Sequence, residues 1–512
     1  MMKKTATRIE FGDFQTPPEL AVAATRIVAA GSPSPASIVE PTCGTGNFLF
    51  AALDCFASVK QALGLEINPS YFREVDARLA RRRPQQTVDL RRMDFFSFDW
   101  PLALAALPEP IMVIGNPPWV TASELGYLRG SNLPTKSNFQ NRSGLDAKTG
   151  KSNFDIAEWM LIHLLRWLAG RKAVLAVLVK TTVARKVLHH AWKTDMPLTD
   201  AAMYLIDAKK HFGVDVAACL LVCRVGDGPR VRQCKVSHID SPTITDHFIG
   251  YRDGMILADL QAFERHEHLR QSHGIVPFYR WRSGIKHDCA DVMELRISDA
   301  GLVNGRGEKA DLEADFLYPM LKGSAVANGS ACMGNRYMIV PQRETGEPTH
   351  FIKQRAPKTW AYLCKHGDRL DRRGSSIYRN RPRFSIFGVG PYTFKPWKVA
   401  ICGLYKRLDF MVVGPCGGKA VVFDDTIYHL SIESEQEARL VAHVLNSPHA
   451  KAFFEAFIFW DAKRPITVEL LHRLDVLALA EMLGCRDQLL QEHRLDHCPA
   501  PEQDAVGKLL FS

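Results

Sequence analysis

The chain has 512 residues, 46 % of them apolar and 23 % charged, with a formal net charge of +10. That length supports roughly two to four domains, each able to bury a core, and no stretch approaches the roughly 18 to 20 apolar residues of a membrane span. The N-terminal run MMKKTATRIEFGDF has no apolar segment behind its lysines, which argues against a secretory signal and for a cytoplasmic protein with no membrane partner, while the basic balance permits a polyanionic partner without establishing one.

In chain order, ASIVEP (36–41) predicts a strand and GNFLFAALDCFASV a helix. QALGLEIN (61–68) predicts a second strand, followed by the basic helix PSYFREVDARLARRR. TVDLRRMDFF (87–96) and PIMVIGNPP (110–118) predict a third and a fourth strand. A polar stretch, 128–153, is long for a structureless loop and is expected to be functional or disordered. FDIAEWMLIHLLRWLAG predicts a helix, KAVLAVLVKTTV a fifth strand, and AAMYLIDAKKHF and VAACLLVCRV two more. This alternation predicts an α/β domain over residues 1–228, a doubly wound, mostly parallel Rossmann-like sheet with ligands at the carboxyl ends of its strands. GDGPR (226–230) marks a boundary. Residues 229–512 have Arg and His clusters, Gly/Pro turns and short strands, ending in a helical tail from about 433, and predict a mixed α+β domain.

The twelve cysteines are scattered, with no Cys-x-x-Cys pair. Cys219 and Cys223 fall in an apolar run and predict core positions. His287 and Cys289 are too few for a zinc site, so no metal is expected.

The first strand runs into EPTCGTGNF, a Gly-rich turn that opens a helix and lets the backbone approach a ligand closely. A phosphate loop would need Gly-Lys-Ser/Thr, and Asn47 follows Gly46 instead. Glu66 ends the second strand, where a carboxylate can accept from both hydroxyls of a ribose. Asp94 ends the third, able to accept from an exocyclic amine, with Phe95 as a flat wall. Taken singly, each acid also reads as a helix cap or a solvated strand end. Three acids, Glu40, Glu66 and Asp94, at successive strand ends fit a nucleoside that carries positive charge and repel a phosphate.

The fourth strand ends on Gly115-Asn116-Pro117-Pro118-Trp119. Two prolines stop the ladder and stiffen the corner. The exocyclic amine of an aromatic ring is a poor nucleophile because its lone pair is delocalised. Two acceptors on its two N–H groups, the Asn116 side-chain oxygen and the Pro117 carbonyl, favour tetrahedral nitrogen and aim the lone pair. Trp119 offers a stacking surface.

These pieces, with FQTPPELA (14–21) before them and NFDIAEWMLIHLL and KKHFGVDVAACLLV after, resemble in order and spacing the gamma-type, TaqI-like adenine-N6 DNA methyltransferases of restriction-modification systems. The resemblance spans nearly all of residues 11–228 and implies a class I methyltransferase fold with S-adenosylmethionine as cofactor. It implies that Thr16 helps hold the methionine end and that Glu40, Cys43, Gly44 and Gly46 line methionine and sugar. Glu66 would bind the ribose and Asp94 the adenine amine, with Phe95 beside that ring. Asn116, Pro117 and Trp119 would hold a flipped-out target base, with Phe212 on its other face. Many relatives have Tyr where this chain has Trp119, and either ring stacks. Asn116 points to adenine, where Ser would have pointed to cytosine-N4.

In the second half, DRLDRRGSSIYRNRPRFSIFG (368–388) interleaves Arg369, Arg372, Arg373, Arg379, Arg381 and Arg383 with aromatic residues, a pattern suited to phosphates and guanine edges. It also reads as a solvated Arg-rich loop. YRWRSGIKHDCADVMEL and FKPWKVAICGLYKR resemble recognition-domain segments of the same family without residue-level roles. Residues 229–512 are thus expected to be the target-recognition domain, the polar stretch 128–153 to fold down on double-stranded DNA, and the whole to be a stand-alone modification enzyme. A monomer on DNA is expected, with room for a separately encoded endonuclease. The same amine chemistry also serves RNA, a protein glutamine amide or cytosine-N4, and a catalytically idle DNA-binding protein is the alternative of a different class.

Overall fold

A computed structural model describes residues 14–32, 34–120, 155–299, 301–329 and 335–496. The polar stretch 128–153 lies outside them. The chain divides into two compact units between Gln261 and Ala262.

The first unit opens with α1 (Pro18–Gly31), β1 (Ser37–Glu40), α2 (Asn47–Cys55), β2 (Gln61–Leu65) and α3 (Pro69–Arg82). It continues with β3 (Thr87–Arg91), α4 (Trp100–Ala105), β4 (Ile111–Gly115), α5 (Ile156–Leu168), β5 (Ala173–Lys180) and α6 (Thr181–Lys193). Then come β6 (Leu198–Ile206), α7 (Ala208–Phe212), β7 (Ala218–Val225), β8 (Gln233–His238), β9 (His247–Arg252) and β10 (Met255–Leu257).

The strands form one sheet in the order β10-β9-β8-β6-β7-β5-β4-β1-β2-β3. β3, β2, β1, β4 and β5 run parallel, and β7 is antiparallel to both β5 and β6. This is the Rossmann-like class I methyltransferase sheet. β1, β4 and most of β5 are buried throughout, as parallel strands covered on both faces must be. On one face Ile38, Met112, Ile114 and Val174 pack with Leu20 and Ala24 of α1 and Phe48 and Leu49 of α2, while α5 and α6 contact β5. Strand order reverses between β1 and β4, and a crevice opens at such a point above the carboxyl ends.

Two local expectations change. Thr181, Thr182 and Val183 open helix α6 instead of continuing β5; their β-branched side chains read as strand, but Thr181 starts a long amphipathic helix that covers the sheet. Residues 233–257, beyond the expected boundary at 228, pair with the first sheet, β8 running parallel to β6.

The second unit holds a five-stranded and a four-stranded sheet. β12 (Glu294–Ser298), β13 (Gly301–Asn304), β14 (Leu317–Leu321), β15 (Arg336–Ile339) and β18 (Val422–Phe423) form the first. β11 (Arg282–Ser283), β16 (Trp397–Cys402), β17 (Met411–Val413) and β19 (Ile427–Ile432) form the second. Helices from Glu435 to Asp496 follow, so the unit is mixed α+β. His287 takes the main-chain N–H of Cys289 at 3.2 Å and faces Glu294 at 3.3 Å. No helix among the described residues is long and apolar enough to cross a membrane.

Candidate active site

The turn from β1 into α2 is shaped by two glycines in the left-handed region, Gly44 at φ 52° and Gly46 at φ 78°, a conformation other residues enter only under strain. Consecutive amides of the turn are engaged: Cys43 N–H donates to Leu65 O at 2.8 Å, Gly44 N–H to Glu66 Oε2 at 2.6 Å and Thr45 N–H to Gln15 Oε1 at 2.8 Å. A Cβ on Gly44 would run into the Gln15 side chain. From the outer side Arg78 of α3 donates to Thr45 O and Asn47 Oδ1 and lies 4.1 Å over the Phe50 ring. The turn is therefore set before any ligand arrives.

Three acids meet in the cleft above it. Glu66, 7 % exposed, accepts from Gly44 N–H and, through Oε1, from Asn68 N–H at 2.6 Å, tying the turn to the start of α3. Asp94 caps a short 3-10 turn by accepting from Phe96 N–H at 3.1 Å. Phe95 is buried beside it, with the indole N–H of Trp100 donating to its carbonyl at 3.0 Å. Glu40 is fully buried and accepts from Leu49 N–H at 2.9 Å. Burial pushes its carboxyl well above the usual range, and the Leu49 bond only partly offsets this, so a cation placed nearby would draw the ionised form back. Burial likewise raises the Cys43 thiol, which donates to the Glu40 carbonyl.

The cleft encloses about 970 Å³ including its open mouth. Thr16, Glu40, Cys43, Gly44, Glu66, Asp94, Phe95 and Asn116 all line it, and none of its described lining residues is Lys or Arg. Acceptors for hydroxyls and an amine, flat apolar walls and three acids suit a cationic nucleoside and disfavour a phosphate ligand.

The corner after β4 is clamped from several sides. Thr42 Oγ1 donates to Asn116 O at 3.3 Å, Trp119 Nε1–H to Leu178 O at 3.2 Å, and Ile156 N–H to Val120 O at 3.0 Å. Asp155, which caps α5, pairs with Lys180 at 2.9 Å. Asn116 Nδ2 donates to Phe14 O at 2.8 Å. Asn116 Oδ1 is buried, and neither it nor the Pro117 carbonyl takes a hydrogen bond among the described residues. An unsatisfied buried acceptor costs about 1 to 3 kcal/mol, and here it sits at the cleft wall. The Trp119 ring, 5 % exposed, meets Phe212 at the end of α7 with centroids 5.1 Å apart.

Of the residues expected in the first unit, Gly46, Pro117, Trp119 and Phe212 are not among those lining the cleft; Gly46 shapes the turn beneath it, Pro117 and Trp119 belong to the corner at its wall, and Phe212 packs on Trp119. Sequence reasoning passed over Phe14, Gln15 and Arg78. Gln15 and Phe14 had a signal in their place beside Thr16; Arg78 had none, since one arginine among several in a basic helix is indistinguishable until the helix is docked.

In the second unit the six arginines divide. Arg373 donates to Leu370 O and Ser385 O at 2.7 Å and to His287 O at 3.1 Å, and stacks 3.7 Å over Tyr378. Arg383 grips Asp371 at 3.0 and 3.2 Å, and Arg369 pairs with Asp291. Arg372, Arg379 and Arg381 are exposed and have no ion-pair partner among the described residues.

No model of a known protein family matches the sequence. The type II methyltransferase M.NspV of Nostoc sp. (strain ATCC 29411 / PCC 7524) is 45 % identical over 478 residues, 93 % of this chain and 98 % of that protein. Among solved structures, the type IIL restriction-modification enzyme MmeI in complex with DNA is 13 % identical, with a TM-score of 0.44, over 95 % of this chain and 76 % of that one. A type I restriction-modification methyltransferase subunit from Streptococcus thermophilus is 14 % identical, with a TM-score of 0.31, over 44 % and 48 %.

Proposed function

The chain belongs to the type II DNA methyltransferases of restriction-modification systems, and on that footing we propose that it methylates the exocyclic N6 amine of an adenine turned out of duplex DNA. The observation that carries the reading is the buried Oδ1 of Asn116, without a hydrogen-bond partner among the described residues, on a residue that lines an acid-lined cleft.

S-adenosylmethionine is the cofactor, and the chemistry of the lining residues suits it. Glu66 would accept from its ribose and Asp94 from its adenine amine, with Phe95 against that ring. Thr16, Glu40, Cys43, Gly44 and Gly46 would enclose the sugar and the methionine end, where buried Glu40 answers positive charge. When bound, the cofactor supplies an electrophilic methyl carbon.

The protein's own work is on the acceptor. Asn116 Oδ1 and the Pro117 oxygen each take one N–H of the amine, which localises the lone pair on nitrogen and stabilises the positive charge that develops there. Both acceptors belong to a clamped corner, so they need no reorganisation during reaction. Trp119 and Phe212 offer rings to the extruded base, whose unstacking costs a few kcal/mol. The second unit would be the target-recognition domain, with exposed arginines on phosphates. The reading carries a monomer acting on DNA in the cytoplasm, with a separately encoded endonuclease for the same site.

Labelled methyl transfer to duplex DNA, RNA and protein tests it. Label is expected in duplex DNA alone, and sequencing of DNA from cells expressing the chain is expected to find N6-methyladenine at one defined site. N4-methylcytosine there would overturn the assignment of the base, and label in RNA or protein that of the substrate.

A further inference from the structure

Phe14 has no part in that chemistry, yet it lies at the centre of the site. It lines the cleft together with Asn116, and its own carbonyl holds the Asn116 amide. Its ring stands 5.9 Å from Trp119, tilted 40°, and 6.3 Å from Phe212 at 75°. Trp119 and Phe212 are 5.1 Å apart with their planes at 65°. A flat ring touches each neighbour at about 3.5 to 4.0 Å, so a base stacked between two rings needs them parallel and roughly 7 Å apart. Neither condition is met. Three rings are thus packed on one another beside Asn116, leaving no slot between them for a fourth.

One of them must give way for a base to reach Asn116. Trp119 is buried and anchored through its indole N–H. Phe212 is not among the residues lining the cleft. Phe14 and Phe212 are both only partly buried, but Phe14 is the one that lines the cleft, and the backbone around it is held independently of its ring. Phe14 O takes Asn116 Nδ2, Gln15 Oε1 takes Thr45 N–H and Thr16 O takes Asn47 Nδ2, each at 2.8 Å. Rotation about χ1 therefore carries the ring away while every one of these bonds persists, and such rotamer changes in partly exposed side chains are fast.

We propose that Phe14 is a placeholder: in the enzyme without DNA its ring fills the space of the target base and turns aside when the base arrives, while its carbonyl goes on orienting Asn116. The proposal rests on reading the Asn-Pro-Pro-Trp corner as the target-base pocket. Its consequence is competition, because base and Phe14 ring contend for the same face of Trp119.

The test is the steady-state kinetics of Phe14→Ala, Phe14→Leu and Phe14→Trp with saturating cofactor, on a duplex carrying the site that sequencing defines. Phe14→Ala should lower KM for DNA by about three- to tenfold, the worth of one aromatic contact. Phe14→Leu should fall between it and the parent, and Phe14→Trp should raise KM. A merely structural phenylalanine predicts the reverse, a weakened enzyme on truncation. If KM stays level or rises in both the Ala and the Leu variant, the placeholder is overturned while the pocket reading stands. Should the Ala variant fail to fold, the opposite signs expected for Leu and Trp still decide the matter. A parent chain that transfers no methyl group to DNA overturns the pocket reading, and the placeholder with it.

Discussion

The side-chain amide of Asn116 donates its N–H to the main-chain oxygen of Phe14 across 2.8 Å, and that bond decides which way the amide faces. With the nitrogen committed, the oxygen is left as an acceptor without a partner among the described residues. Asn116→Ala should therefore cut methyl transfer by about 10²- to 10³-fold, the usual loss for one preorganised polar contact to a transition state, and leave cofactor affinity nearly unchanged. Asn116→Asp should also fail although it keeps an acceptor, because a carboxylate cannot donate to Phe14 O. Single-turnover methylation together with calorimetric titration of cofactor checks both. More than about a tenth of parental turnover in the Ala variant would contradict the role.

Glu66 and Asp94 should differ in what they cost. Each is expected to contribute about 1 to 3 kcal/mol to cofactor binding through a charge-assisted hydrogen bond. Glu66 also joins Gly44 N–H to Asn68 N–H, so Glu66→Ala should lower the melting temperature of the free protein, whereas Asp94→Ala, which loses one short-turn cap, should barely move it. Calorimetry and thermal melts on the two variants separate the effects. Unchanged affinity in both would mean the ligand binds elsewhere.

The arginine cluster should split into two phenotypes. Arg372→Ala, Arg379→Ala and Arg381→Ala should each weaken binding to all duplex sequences alike and flatten the salt dependence by about one unit of slope, with melting unchanged. Arg373→Ala strands the three carbonyls it now serves and should be destabilising by about 1 to 3 kcal/mol with little direct effect on the slope. Filter binding at several salt concentrations, beside chemical denaturation, checks this. Identical behaviour of the two groups would show that the internal ties of Arg369, Arg373 and Arg383 do not govern their part in DNA binding.

Lys398 gives a pH prediction. It is 1 % exposed, its Nζ donates to Lys395 O at 2.8 Å, and burial lowers its pKa to about 7. In the unfolded chain a lysine titrates near 10.4. Between these values the unfolded chain holds the extra proton, so stability rises with pH across that window, and below about pH 7 the folded chain carries a buried ammonium. Lys398→Met should therefore stabilise by about 1 to 4 kcal/mol at pH 6, with the gain shrinking toward pH 10. Urea denaturation at both values reads it. A gain independent of pH would mean the ammonium is not what the substitution relieves.

Much of the first unit is legible in the sequence because buried parallel strands read as unbroken apolar runs and the site residues stand at their ends: Glu40, Glu66, Asp94 and Asn116 follow one another in chain order. What stays hidden is set by partners distant in sequence. Nothing in Gln233–Leu257 announces that β8 will pair with β6 rather than open a new domain. The six arginines look alike as letters, and only the fold brings Asp291 to Arg369 and three carbonyls to Arg373. Asp94 illustrates both readings at once, a cap that also lines the cleft.

The run Phe14-Gln15-Thr16 holds the Asn116 amide, the Gly turn and the first residue of α2 by three consecutive bonds, yet none of the three belongs to a strand. That sets where the protein can be handled. Shortening the chain as far as Thr16 would remove the bonds to the Asn116 amide, the Gly turn and Asn47 at one stroke, while taking no residue from any strand. An affinity tag or fusion partner abutting this run would act on the same point, and a tagged preparation that is folded but inert would trace its failure to three residues at the edge of the domain.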